Sequence, residues 1–125
     1  MATTTISASG EFGFIPVDDV INAQDTWLEM SKVSAGLIAT VELRCSTINT
    51  AGGQRIYVGI LPNGGTDPTN LSTLGDLRVL EWYTKLVPGT PFINNAIVLG
   101  GESELWVYCD DVDAHFYAHG MTYTA

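Results

Sequence analysis

The chain has 125 residues, 46% of them hydrophobic and 15% charged, and 14 acidic against 5 basic side chains leave a net charge of −9. That is the size of one domain, with enough apolar content for a core and too much for a chain that stays unfolded. The acidic balance repels phosphate, which excludes generic nucleic-acid or anionic-membrane binding, and no apolar run is long enough to span a bilayer.

Residues 1–9 have neither the basic nor the apolar region of a signal peptide, so a soluble protein without an export signal is expected. Residues 2–9 are polar and β-branched with no core pattern of their own. The stretch 3–14, with Thr3, Ile6, Phe12 and Phe14, is expected to lie against another chain or to add a strand to its sheet. Residues 10–17 form an extended piece whose Pro16 suits an edge, and 17–22 make one helical turn through Val17, Val20 and Ile21. Strands follow at 25–33, 37–46, 54–61, 77–87, 96–99, 104–109 and 114–123. Glycine and proline separate them at short intervals, which leaves no room for a helix of ordinary length. The connection from Pro62 to Gly75 is long for a hairpin turn and reads as a mobile or partner-ordered loop. The fold class that follows is all-β: a single-domain antiparallel β-sandwich, jelly-roll-like, with residues 1–13 as an extended N-terminal arm and 14–125 as the sandwich.

Side chains on a strand alternate between two faces, so the phase of the apolar residues shows which face is buried. Leu37, Ala39, Val41, Leu43 and Cys45 form one apolar set, with Thr40, Glu42 and Arg44 opposite. Ile56, Val58 and Ile60, then Leu105, Val107 and Cys109, then Ala114, Phe116 and Ala118 continue it. These are the expected inner faces. Asp113, His115, Tyr117 and His119 are expected to face solvent or a partner.

Cys45 and Cys109 both fall on the core face and read as buried free thiols; their spacing makes no zinc site. Asp110, Asp111 and Asp113 lie between two strands and read as a hairpin turn, with calcium as the alternative to test. His115 and His119 on one strand are separated by about 13 Å, too far to share an ion. No nucleophile elbow, phosphate-binding loop or other active-site motif occurs, so no enzyme activity, cofactor or metal is expected. Aromatic side chains are the remaining chemistry. By alternation Tyr57, Trp106, Tyr108 and Tyr117 share the face opposite the aliphatic core; with Trp82 they suggest an interface or a sugar-stacking platform, unless strands or loops cover them.

The segments Val79-Leu80-Glu81-Trp82-Tyr83, Val87-Pro88-Gly89, Ile97-Val98-Leu99-Gly100-Gly101-Glu102, Leu105-Trp106-Val107-Tyr108-Cys109 and Val112-Asp113-Ala114-His115-Phe116-Tyr117-Ala118-His119-Gly120 occur in this order. In order and character they resemble small virion proteins of tailed bacteriophages, over about a third of the chain. The chain departs from that pattern after Gly120, where Met121 to Ala125 replaces an acidic tail. The resemblance implies a β-sandwich that decorates or cements the outer surface of a capsid. It also implies the major capsid protein as partner, a homotrimer, and no direct contact with nucleic acid or membrane. A tail or baseplate module is the nearest alternative. A carbohydrate-binding module using Trp82, Trp106 and Tyr108, with calcium at the aspartates, is the other.

Overall fold

A computed structural model describes residues 4–5, 17–21, 26–47, 53–111 and 114–124. Its regular structure is entirely strand: β1 (Thr4–Thr5), β2 (Val17–Ile21), β3 (Thr26–Lys32), β4 (Leu37–Thr47), β5 (Arg55–Leu61), β6 (Arg78–Lys85), β7 (Phe92–Leu99), β8 (Glu104–Cys109) and β9 (Ala114–Thr124). They form two antiparallel sheets. One runs β1-β9-β4-β7 with β2 also paired to β9, and the other runs β3-β8-β5-β6. From β2 onward the chain changes sheet at every connection except β5 to β6. The pairings nest: β5 with β6, β4 with β7, β3 with β8 and β2 with β9.

The β-sandwich read from the alternation is the observed architecture. Ala39, Val41, Leu43 and Cys45 on β4, Ile97 and Leu99 on β7, and Ala114, Phe116 and Ala118 on β9 pack against Ile56 and Val58 on β5 and Leu105, Val107 and Cys109 on β8. Each fully buried aliphatic side chain here contributes about 1.5–3 kcal/mol. Two close approaches need glycine. A Cβ on Gly120 would run into the Thr40 carbonyl of β4, and one on Gly59 would lie 2.6 Å from Leu77 Cγ.

Several expectations need correction. Residues 17–21 are a strand paired with β9, not a helical turn; Val17 and Val20 are β-branched, and pairing supplies backbone partners that a single turn would lack. The seventh strand begins at Phe92, four residues before Ala96, because Phe92, Ile93 and Asn94 pair with β4 ahead of a register shift. Thr4 and Thr5 pair with Tyr123 and Thr122 of the same chain. Thr3, Ile6, Phe12 and Phe14 lie outside the described residues, as does Asp113.

Candidate functional site

The aromatic face expected to be open is mostly closed. Tyr57, Trp106 and Tyr108 do share the outer face of the four-stranded sheet, but only 3%, 8% and 3% of each is accessible. They form a second apolar cluster with Trp27, Leu61 and Leu77, against which Leu71 and Leu74 also pack. The cover is the 62–77 connection, so the stretch from Pro62 to Gly75, expected as a mobile or partner-ordered loop, instead packs on its own sheet. Its own polar groups hold it shut. Asn70 Oδ1 accepts from the backbone N–H of Ser72 and Thr73, Asp76 Oδ2 accepts from Thr66 N–H, and Trp27 Nε1 donates to the Asn70 carbonyl at 3.2 Å. The missing side chain of Gly59 is what lets Leu77 settle onto the sheet. Tyr117 is not on this face at all: it lies on β9, in the other sheet, opposite Arg44 of β4.

Exposed apolar surface gathers elsewhere. Of the eight large hydrophobic side chains exposed among the described residues, seven lie between Val79 and Val98: Val79, Leu80, Trp82 and Tyr83 on β6, Val87 in the turn, and Ile93 and Val98 on β7. Strands β6 and β7 end their respective sheets. Asn94 Nδ2 donates to Glu81 Oε2 at 3.3 Å, which ties these two edges into one flank of the sandwich. Trp82 and Tyr83 are 48% and 59% exposed, values that separate them from the covered Tyr57 behind them.

The flank is irregular by construction. Ile56 pairs with Thr84 and Val58 with Glu81, so Trp82 and Tyr83 together oppose Tyr57; Gly59 then pairs with Val79, which leaves Leu80 as a further extra residue. On β7, Asn95 and Ala96 lie between residues that pair with Val41 and Leu43. Such bulges twist an edge strand and spoil its ladder, which blocks pairing with another strand. They also swing side chains outward. Tyr83 sits at φ 61°, a left-handed conformation unusual for a bulky residue and costly by about 1 kcal/mol or more. Tyr57 packs edge-on to Trp82, with ring centroids 4.8 Å apart, and the Arg55 guanidinium lies 5.0 Å from the centre of the Tyr83 ring.

Positive charge gathers at the same place. Three of the 5 basic side chains, Arg55, Arg78 and Lys85, lie on β5 and β6. Arg55 is directly opposite Lys85, a like-charge pair that costs stability. The ion pairs among the described residues use Lys32, Arg44 and His119, and none uses these three. Asp110 is close, but its Oδ1 accepts from the Arg55 backbone N–H at 2.7 Å.

The other candidates are less developed. On the outer face of the five-stranded sheet, one hollow of about 330 Å³ is lined by Arg44, Cys45, Ser46, Pro91, His115 and Tyr117, and another of about 320 Å³ by residues around Glu42 and His119. Glu42 already engages Arg44 at 2.6 Å and His119 at 3.9 Å. Both cysteines are free and buried. Burial pushes the Cys45 thiol far above its ordinary range, and mainly burial pushes Cys109 up to about 11, so both are protonated at neutral pH. Among the described residues no three His, Cys, Asp or Glu side chains converge as a metal site would require.

Aromaticity and strand position mark both Trp82 and Tyr83 in the sequence, whereas nothing there marks Arg55 or the bulges. No family model, curated protein or solved structure matches this chain.

Proposed function

We propose that this protein is a non-enzymatic structural module that binds another protein through the β6–β7 flank, and that it serves as a decoration or cement subunit on the outer surface of a tailed-bacteriophage head. The observation that carries the reading is the concentration of exposed apolar side chains on that one flank. A concentration of exposed apolar side chains marks an interaction site, and here it is coupled to edges that resist strand addition. The nested pairing is the order expected of two Greek keys wound into a jelly roll, an architecture common among capsid proteins. The resemblance of residues 78–123 to virion proteins points the same way.

In this role the module acts by binding energy alone. As a homotrimer seated where capsomers of the major capsid protein meet, it presents three copies of one patch, and the later contacts form at high effective concentration. Its net charge of −9 keeps it off the packaged nucleic acid. The test is electron microscopy of heads assembled with and without the protein, followed by heating. Density on the outer shell and a lower temperature of genome release without it support the reading. Density confined to tail or baseplate selects the tail-module alternative, and particles that never contain the protein overturn both.

A sugar-binding module is the second reading. Trp82 and Tyr83, adjacent and exposed beside Arg55, favour it. Glycan binding that disappears on Trp82→Ala would establish it in place of the first.

A further inference from the structure

The outer face of the four-stranded sheet carries opposite, unrelieved charge at its two ends. At the β6 edge Arg55 opposes Lys85, with Arg78 on the same edge strand and no ion pair to any of the three among the described residues. At the β3 edge Glu29 is exposed, and its carboxyl is pushed above its ordinary range by partial burial and by the neighbouring Glu104 and Asp67. Glu104 is partly answered by Lys32 at 3.8 Å and by the Trp106 indole N–H at 2.9 Å, which leaves Glu29 and Asp67 as the exposed surplus. The sandwich thus has an apolar flank at β6 and β7 on which Arg55, Arg78 and Lys85 outnumber Glu81, itself turned to Asn94, and an acidic edge at β3.

We infer that the flank formed by β6 and β7 docks head-to-tail on the acidic β3 edge of a second copy of this chain. Each flank repels itself, and each relieves the other. An isologous contact would set Arg55, Arg78 and Lys85 against their own copies; a heterologous contact sets them against Glu29 and Asp67 and repeats from copy to copy. Bulges interrupt β6 and also β3, where Met30 falls between the pairs Glu29–Trp106 and Ser31–Leu105. The contact is therefore made by side chains and does not extend the sheet.

This inference rests on the reading of the flank as a protein interface, and a charge-swap rescue separates the two. Sedimentation equilibrium of the full chain at low salt should show species larger than the monomer, with association weakened about tenfold or more at high salt, where the Debye length falls to about 3 Å. Arg78→Glu with Lys85→Glu makes both flanks acidic, and Glu29→Lys with Asp67→Lys makes both basic. Each double variant should be folded by circular dichroism and monomeric alone. Mixed in equal amounts, they should recover association in alternating order. Failure of the mixture to associate overturns the inference, as does a wild-type chain that stays monomeric. A monomeric chain that still decorates heads, and loses that on Trp82→Ala with Tyr83→Ala, overturns self-docking while leaving the interface reading intact.

Discussion

Val107 lies at the centre of the core with no accessible surface, and a charge placed there has no partner. Val107→Asp should unfold the domain, since an unpaired buried charge costs several kcal/mol against a total of about 5–15 kcal/mol; an unchanged thermal midpoint would refute the assigned strand phase. That phase was legible because a period of two leaves few alternatives: Val41, Leu43, Phe116 and Val107 all point as the alternation requires. Gly120→Ala should cost about 3 kcal/mol, because the new methyl meets backbone and not a flexible side chain. Nothing in the sequence distinguishes Gly120 from a turn glycine, since the need arises only when β9 lies beside β4. Tyr83 is the reverse case. It spends conformational energy at φ 61° to hold an exposed ring, so Tyr83→Gly should leave the thermal midpoint unchanged or raised while weakening binding. A clear fall in the midpoint would make the ring a structural element. The two thiols should ignore a thiol-specific reagent at neutral pH until the protein unfolds. Because folding raises both thiol pKa values, their linked stability is full below the unfolded value of about 8.5 and falls as pH rises above it.

At the scale of elements, the 62–77 connection shows where sequence reasoning stopped. Its Gly, Asn and Pro content marks a loop, but whether a loop floats or packs is decided by Leu71, Leu74 and Leu77 meeting Trp27 and Trp106 across the sheet. Those contacts are long-range, and local pattern does not encode them. Gly59→Ala should lift this cover by displacing Leu77. The expected sign is increased acrylamide quenching of tryptophan fluorescence with the strands intact by circular dichroism; unchanged quenching would show that the cover adapts. The bulges on β6 and β7 were equally hidden, because each depends on the register of a neighbouring strand. Thus Trp82 was legible as a candidate from its aromaticity and strand position. Tyr57, Trp106 and Tyr108 look the same in sequence and have been consumed by packing within the chain.

For the whole molecule, composition limits what the chain can do, and topology decides where. A net charge of −9 says nothing about the placement of 5 basic side chains; the pairing of β5 with β6 brings Arg55, Lys85 and Arg78 to one flank. High hydrophobic content likewise divides three ways, into the core between the sheets, the covered aromatic layer, and the open flank at β6 and β7. Among these three it is the last that stays open to a partner in the described residues, and the central claim is that partners use it. Hydrogen–deuterium exchange, comparing the protein diluted to monomer in solution with the protein seated on purified phage heads, tests this most directly. The account predicts new protection concentrated in residues 78–99. Protection confined to the outer face of β4 and β9, with residues 78–99 exchanging as they do in solution, would contradict it.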